Sequence, residues 1–233
     1  MDWLYVWSPR YRFFHELLFS SIKDLSGFAV KPVFAEQHHF KPLQSDSHFL
    51  TGIPIKIYVI INYIQKNMGK TFFFTDVDLI VFPSFTLHDL ESYSVNDITC
   101  MKEAHDTYPY NIGCLLIQCN PETLRFFQRV LERIQEKKIL DQGAFHQELP
   151  SFQGSLGVFS PNQFLQSNML SDHLEIEDYK IIQCLSSQFH PTDVLLEKLE
   201  TITFFIDTTS FEQFLPSDVL DAKRRVSQSQ GSA

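Results

Sequence analysis

The run Thr-Phe-Phe-Phe-Thr-Asp-Val-Asp at residues 71–78 constrains the fold of this 233-residue chain more than any other feature. Its first five residues have the length of a strand, and three adjacent phenylalanines leave that strand no polar face. Such a strand must be covered on both sides, as in the centre of an α/β sheet. Open α/β sheets bind ligands at the carboxyl ends of their strands, so Asp76 and Asp78 are predicted to border a crevice.

Apolar periodicity elsewhere predicts helices that alternate with strands. Helices are predicted over residues 10–25, 51–69, 121–138, 141–149 and from 192 onward, and strands over residues 3–7, 30–35, 97–101, 112–119, 156–159 and 179–184. Pro32 lacks an amide donor, which predicts an edge strand or a bulge. Asn120 before Pro121 predicts a capped helix start. The alternation is typical of one α/β domain, residues 1–222, and residues 223–233 are expected to be a disordered tail.

The charge balance limits the classes of partner. Acidic side chains outnumber basic ones by 28 to 19, which gives a formal net charge of −9. Nucleic-acid binding depends on clustered Lys and Arg, so no nucleic-acid partner is expected. No apolar run reaches the roughly 18 residues of a membrane-spanning helix, and the first residues lack the regions of a signal peptide. A soluble, cytoplasmic protein is therefore expected, with its four cysteines as buried thiols.

Asp76 and Asp78 are the first polar side chains after the predicted core strand, residues 71–75. Two carboxylates placed two residues apart at a strand end can converge on one divalent cation, which prefers oxygen ligands. The structural alternative is an acidic turn that ends the strand. The preceding aromatic run favours the metal site, because it places the pair at the end of a buried strand.

Five short motifs occur in an order that matches a known family. They are Lys56 in the preceding helix, Asp76-Val77-Asp78, Asn111-Ile112-Gly113, Asp141-Gln142-Gly143, and Phe189-His190-Pro191 followed by Glu197-Lys198-Leu199. With this set the chain resembles the metal-dependent glycosyltransferases of the GT-A type, in particular the nucleotide-diphospho-sugar transferase family, and more distantly the glycogenin-like enzymes. The resemblance spans residues 4–199. It implies a single GT-A domain, an α/β fold with a central mixed, mostly parallel sheet flanked by helices.

The resemblance implies sugar transfer from a nucleoside-diphosphate sugar. Negative charge would develop on the phosphate oxygens of the leaving group, and a divalent ion would stabilise it. By resemblance, Asp78 binds the ion directly, Asp76 reaches the ion and the nucleotide ribose, and His190 completes the protein ligands. One imidazole among oxygen ligands favours Mn²⁺, with Mg²⁺ as the other choice. The alternative for His190 is an ordinary loop histidine.

Other residues are implied to hold the nucleotide. Lys56 resembles a helix lysine that contacts the donor, and its alternative is a solvated lysine whose stem covers an apolar edge. Ser8, Arg10 and Tyr11 follow the first strand, where relatives hold the base and phosphates, and Tyr11 is a candidate for base stacking. A helix-start turn is the alternative for each of these three. A UDP-sugar is the expected donor, and the expected acceptor is a glycan, a protein or a small molecule.

Asp141 and Gln142 are the catalytic candidates. In glycogenin-like retaining enzymes the matching pair lies against the donor sugar, which favours retention of anomeric configuration; an inverting base remains the alternative. Asp141 is also a good helix N-cap for the segment after it. By resemblance, Asn111 and Gly113 lie where the sugar meets the acceptor, since glycine permits close approach; the alternative for both is simple turn chemistry. Weaker acceptor-side candidates are His105 and Asp106.

Two other functions fit parts of the pattern. The strand ending at Asp76 also resembles the nucleophile strand of haloacid-dehalogenase-type phosphatases, in which the first aspartate attacks phosphate. Against this, two strand–helix units precede the strand, and the sequence shows no downstream Gly-Asp signature. The third possibility is a transferase-like domain that binds nucleotide or glycan without turnover.

Overall fold

The computed structural model describes residues 1–35, 48–103, 107–170, 179–188 and 190–230, with side chains for all of these except 48–53 and 226–230. Its helices are α1 (Arg12–Ile22), α2 (His48–Lys66), α3 (His88–Glu91), α4 (Pro121–Lys137), α5 (Asp141–Glu148), α6 (Pro191–Phe205) and α7 (Ser217–Gln230). Its strands are β1 (Asp2–Trp7), β2 (Ala29–Phe34), β3 (Thr71–Thr75), β4 (Leu79–Val81), β5 (Ile98–Lys102), β6 (Tyr110–Gln118), β7 (Leu156–Val158), β8 (Phe164–Gln166) and β9 (Ile181–Gln183).

Six strands form the main sheet, in the order β2-β1-β3-β6-β5-β7. Strand β1 is parallel to β2 and β3, and β7 is parallel to β5. Strand β6 runs antiparallel to β3 and β5. The sheet is therefore mixed and mostly parallel, and helices pack on both of its faces. The predicted fold class is confirmed.

Strand β3 lies inside the main sheet, between β1 and β6. Phe72, Phe73 and Phe74 are each 0% exposed. Because successive side chains of a strand point to opposite faces, Phe73 packs with Trp3 and α1 residues, whereas Phe72 and Phe74 pack with residues of α2 and α4. The prediction of a central strand covered on both faces is confirmed.

Two local predictions are also confirmed. Strand β2, which contains Pro32, lies at an edge of the main sheet. Helix α4 begins after Asn120, whose side-chain oxygen accepts hydrogen bonds from the backbone amides of Glu122 and Thr123, both at 2.9 Å. This cap satisfies amides that have no partner within the first turn of a helix.

A second sheet has three strands in the order β4-β9-β8. The sequence predicts only the strand that contains β9. Each strand has three residues, too few for apolar periodicity to distinguish a strand from a turn. Leu79 pairs with Gln183, and Gln183 pairs with Gln166. The small sheet therefore lies directly beside Asp78, the residue before β4.

Helix α2 packs on the face of the main sheet that carries Phe72 and Phe74. Ile57, Ile60 and Ile64 are 0% exposed and form its buried stripe. Lys56 follows one edge of this stripe and is 9% exposed, so the helix is fixed with Lys56 inside the protein. Within the described ranges, no helix combines the length and apolar character needed to cross a membrane.

The end of the chain differs from the sequence expectation. Helix α7 runs Ser217–Gln230, so residues 223–230 of the expected disordered tail continue a helix. Val219 is 0% exposed, and Lys223 forms an ion pair with Glu212. Helix extension is cooperative, so a first turn anchored in the core supports residues that bury little themselves. Residues 231–233 lie outside the described residues.

Replacing Phe73 by alanine is expected to lower the free energy of unfolding by about 3–5 kcal/mol. The substitution leaves a cavity among the rings of Trp3, Phe85 and Phe159. Phe204→Ala is the matched control: Phe204 is 79% exposed, so its loss should change stability by less than about 0.5 kcal/mol. Urea denaturation measures both values, and equal effects would contradict the buried position of β3.

Candidate active site

Asp76 and Asp78 follow β3 and are held by the backbone of two other strands. The Asp76 amide donates to the Gly113 carbonyl at 2.7 Å, which continues the pairing of β3 with β6. The Cys184 amide donates to the Asp78 carbonyl at 2.9 Å, just after β9. The two aspartates thus lie where the main sheet meets the small sheet, at the carboxyl end of β3, as predicted. The surroundings of these two carboxylates are named the crevice.

Asp76 is bound by two side chains from different elements. The Nζ atom of Lys56 lies 2.8 Å from Oδ1 of Asp76, and Nε2 of Gln183 donates to Oδ2 at 3.2 Å. Lys56 Nζ also lies 3.3 Å from Oδ2 of Asp141, at the start of α5. The structure therefore brings three predicted residues, Lys56, Asp76 and Asp141, into one ion-pair network.

This network shifts the pKa values of its members. Burial alone would lower the pKa of Lys56, but the carboxylates of Asp76 and Asp141 outweigh burial and raise it. Desolvation raises the pKa of Asp76; Lys56 opposes this shift and Asp78 adds to it. Lys56 therefore stays charged at neutral pH and compensates carboxylates that would otherwise repel one another.

Asp78 is 6% exposed and forms an ion pair through Oδ2 with Lys198 of α6. Its other oxygen, Oδ1, is buried and has no hydrogen-bond partner in the part of the chain that the structure describes. Burial alone would lower the pKa of Lys198, but Asp78 and Tyr11 raise it. Burial raises the pKa of Tyr11; Lys198 opposes the shift and Asp78 adds to it, so the Tyr11 hydroxyl lies in the field of this ion pair.

The two aspartates fit an oxygen-bound divalent cation. A buried carboxylate oxygen without a partner is costly, and a bound cation would satisfy Oδ1 of Asp78. His190 lies just before α6, with a side chain that is 70% exposed and 3.8 Å from Asp193. Among the described side chains, no three of His, Cys, Asp or Glu converge in a group that would hold a metal ion. The role of His190 as a third ligand therefore stays a prediction.

A second network, centred on Glu103, adjoins the first. Oε2 of Glu103 accepts hydrogen bonds from the side-chain amides of Gln166, Gln142 and Asn111, at 2.8, 3.0 and 3.3 Å. Oδ1 of Asn111 accepts the backbone amide of Gly113 at 2.6 Å. The structure thus joins three predicted residues, Asn111, Gly113 and Gln142, through a carboxylate that the sequence does not single out.

Asp141 is not a helix N-cap, contrary to the structural alternative. Leu140 occupies the cap position, and Asp141 is the first residue of α5. Its Oδ2 atom faces Lys56, while Oδ1 accepts the backbone amide of Gln142 at 2.9 Å. The ion pair with a buried lysine draws the carboxylate towards α2.

Gly113 permits a close approach, but the group that approaches is a protein side chain. A Cβ atom at this position would lie 2.0 Å from Nε2 of Gln183. That nitrogen is the atom that donates to Asp76. The missing side chain of Gly113 therefore lets Gln183 reach Asp76, and contact of Gly113 with a sugar stays a prediction.

The predicted nucleotide-binding residues after β1 form a 3-10 turn, Pro9–Tyr11. The carbonyl of Ser8 accepts the amide of Tyr11 at 2.9 Å. Arg10 forms an ion pair with Asp218 of α7 at 2.9 Å, which ties this turn to the end of the chain. The helix-start turn is thus present, and nucleotide contacts of Ser8, Arg10 and Tyr11 stay predictions.

Four residues of these networks are missing from the predicted site: Glu103, Gln166, Gln183 and Lys198. Gln166 and Gln183 end three-residue strands that leave no periodic signal. Lys198 could have been predicted as a site residue, because it belongs to the motif Glu197-Lys198-Leu199 that follows His190. Glu103 follows β5 in no distinctive pattern. Three residues named from the sequence lie outside the described residues: His105, Asp106 and Phe189.

The family model of the nucleotide-diphospho-sugar transferases matches residues 61–183, a range that contains β3 to β9. No curated protein sequence matches the chain at a significant level. The chain does resemble solved structures in fold. One is a glycosyltransferase involved in the glycosylation of the major capsid of PBCV-1, with a TM-score of 0.61 and 13% identity over 86% of this chain and 98% of that chain.

Two further solved structures are similar to the chain. The galactosyltransferase LgtC, in complex with donor and acceptor sugar analogues, has a TM-score of 0.51 and 12% identity over 92% of this chain and 100% of that chain. The glycosyltransferase GlyE of Streptococcus pneumoniae has a TM-score of 0.55 and 13% identity over 93% of this chain and 64% of that chain. At these identities the similarity is one of fold.

Gly113→Ala is expected to lower the free energy of unfolding by about 1–3 kcal/mol, because the added methyl group overlaps the Gln183 amide. In a Gln183→Ala background the same substitution should cost less than about 0.5 kcal/mol, a non-additive result. Gly143→Ala is the control, since its Cβ would meet its nearest neighbour, the Tyr108 hydroxyl, at 3.9 Å. Urea denaturation measures the free energy of unfolding of all these variants. Additive effects of the substitutions at Gly113 and Gln183 would exclude the close contact between these two residues.

Proposed function

Because the chain belongs to the nucleotide-diphospho-sugar transferase family, we propose that it moves a sugar from a UDP-sugar to a hydroxyl acceptor, with a divalent metal ion and with retention of anomeric configuration. Membership makes the chain a glycosyltransferase, an enzyme that uses a nucleotide-sugar donor. Its α/β architecture matches the GT-A fold of its structural neighbours. The metal ion, the uracil base and the stereochemical course are the proposed parts.

The observation that carries the metal proposal is the arrangement of Asp76 and Asp78. Both carboxylates follow the same buried strand, and Oδ1 of Asp78 is buried without a partner among the described residues. Asp76 and Asp78 would hold the ion, and His190 would be the nitrogen ligand that favours Mn²⁺ over Mg²⁺. When bound, a divalent ion supplies Lewis acidity to the diphosphate leaving group.

The two buried lysines pair with the carboxylates of Asp76 and Asp78. Lys56 holds the Asp76 carboxylate at 2.8 Å and keeps it in one orientation before the donor binds. Lys198 pairs with Asp78 and stays protonated, because that carboxylate raises its pKa. These ion pairs hold the two carboxylates in place as ligands, and a bound divalent ion would stabilise the negative charge that develops on a departing diphosphate.

Gln142 and Asp141 have different roles in the proposed reaction. Asp141 shares Lys56 with Asp76, so its negative charge is compensated and its main task is to hold the lysine. Gln142 lies beside it with its side-chain amide fixed by Glu103. The dipole of an amide carbonyl stabilises a developing sugar cation, and we therefore assign the donor-sugar contact of a retaining reaction to Gln142.

The proposed partners follow from the same chemistry. The acceptor is a hydroxyl of a glycan, a protein or a small molecule, and no nucleic-acid partner is proposed. A cytoplasmic location stays a prediction from the sequence. The phosphatase alternative is set aside, because the chain belongs to a transferase family and β3 follows two strand–helix units rather than opening the domain.

Metal removal is expected to stop release of the nucleoside diphosphate, and added Mn²⁺ should restore it. Asp78→Asn keeps the shape of the side chain but removes its charge, so kcat should fall by at least about 100-fold. Asp207→Asn is the matched control, because this exposed carboxylate binds Thr209 away from the crevice. A coupled assay for UDP measures all three. Full turnover in EDTA, or in Asp78→Asn, would disprove metal dependence through this residue.

A panel of nucleotide sugars tests the donor and the stereochemistry. UDP-glucose, UDP-galactose, UDP-xylose and GDP-mannose are incubated with the protein and Mn²⁺, and diphosphate release is followed. A UDP-sugar should be consumed fastest, and early proton NMR spectra should show a sugar product with the anomeric configuration of the donor. Preference for GDP-mannose would refute the base assignment, and an inverted product would refute retention.

A further inference from the structure

Three side-chain amides converge on a single carboxylate oxygen, Oε2 of Glu103. Gln166 donates to it at 2.8 Å, Gln142 at 3.0 Å and Asn111 at 3.3 Å. These donors come from three elements, since Gln166 ends β8, Gln142 belongs to α5 and Asn111 to β6. Glu103 is therefore the point at which the small sheet, the main sheet and α5 are joined beside the crevice.

The chemistry of this cluster fixes the direction of each amide. An ionised carboxylate only accepts hydrogen bonds, so each amide must turn its NH₂ group towards Glu103. Asn111 is fixed at both ends, because its Oδ1 atom accepts the backbone amide of Gly113 at 2.6 Å. Gln166 is 0% exposed, so its amide lies wholly inside the protein. Glu103 is therefore held by the doubly bonded amide of Asn111 and the buried amide of Gln166, and it in turn orients the third amide, that of Gln142.

The backbone of Gln142 is fixed independently of its side chain. Nε2 of His146 accepts the Tyr110 amide at 3.1 Å, so Nδ1 carries the proton and donates to the Gln142 carbonyl at 2.7 Å. Burial lowers the pKa of His146, which favours this neutral form. With the backbone of Gln142 fixed in this way, the remaining freedom of Gln142 is rotation of its side chain, and the bond to Glu103 removes it.

We infer that Glu103 is a positioning residue, which sets the Gln142 amide so that its carbonyl oxygen faces the donor sugar and its NH₂ group faces the protein. This inference rests on the proposed function. Without the carboxylate, the Gln142 amide could turn its NH₂ group towards the sugar, and a donor dipole would then oppose the developing positive charge. Glu103 itself touches no reacting atom, so its loss should slow the chemical step while leaving the nucleotide contacts at Asp76 and Asp78 intact.

Glu103→Gln is the direct test, since it keeps the size of the side chain and removes the ionised acceptor. With UDP-glucose and UDP-galactose as probes and Mn²⁺ in excess, kcat for UDP release should fall about 100-fold. This is the typical loss of rate when one group of an active site, here the Gln142 amide, is misplaced. KM for the donor and the calorimetric Kd for UDP should each change less than about threefold, because ground-state binding is kept. A parallel loss of UDP binding would overturn the inference, since it indicates general disruption.

A second pair of variants separates positioning from folding. If Glu103 acts through Gln142, then adding Glu103→Gln to Gln142→Ala should reduce kcat by less than about threefold more. Additive losses in the double variant would overturn the inference. Glu122→Gln is the matched control, because Glu122 binds Arg125 and the Gln153 amide away from the crevice and should leave kcat unchanged.

The controls also distinguish failure of this inference from failure of the proposed function. If the wild-type protein releases no UDP from either probe and does not bind UDP, the proposed donor is wrong and the inference is overturned with it. If the wild-type protein is active and Glu103→Gln is equally active, only the positioning role is wrong. Glu103→Asp, which keeps the carboxylate on a shorter side chain, should recover part of the kcat that Glu103→Gln loses. If neither Glu103→Gln nor Glu103→Asp folds, the positioning role of Glu103 is overturned as well.

Discussion

The rest of the site depends on the ion pairs that Lys56 forms with Asp76 and Asp141. The ammonium group of Lys56 lies 2.8 Å from Asp76 and 3.3 Å from Asp141, so one buried cation holds two carboxylates from different parts of the chain. Loss of one partner of a buried ion pair leaves an uncompensated charge, which is strongly destabilising. The apolar stripe of α2 fixes Lys56 in the protein interior, and the packing of that helix therefore decides where both aspartates lie.

The two sheets contribute different groups to the site. The main sheet delivers Asp76 and Asp78 at the end of a strand with no polar face, whereas the small sheet supplies Gln183 and Gln166 as amide donors. Gln183 reaches Asp76 only because Gly113 has no side chain. The carboxylates of the crevice are thus held by side chains from several elements, and this arrangement limits the rearrangement needed when a charged ligand binds.

The elements that sequence predicts correctly are those with long or chemically distinct patterns. Strand β3 is identified by three phenylalanines that exclude a polar face, and the start of α4 by the side chain of Asn120 before Pro121. Strands β4 and β8 of the small sheet are missed because three-residue strands show no apolar periodicity. Asp141 resembles an N-cap in sequence, but its ion pair with Lys56 is a contact between distant segments, and local patterns do not encode such contacts. The converging amides at Glu103 are missed for the same reason.

The balance of charge in the crevice explains how an acidic protein accommodates an anionic substrate. Lys56 pairs with the carboxylates of Asp76 and Asp141, and Lys198 pairs with that of Asp78, so in these described ion pairs three carboxylates meet two cations. Arg10 does not correct this, because it pairs with Asp218. An excess of carboxylates repels a diphosphate, and under the proposed function a divalent cation held by Asp76 and Asp78 would offset that repulsion. Metal ion and donor are therefore expected to bind together.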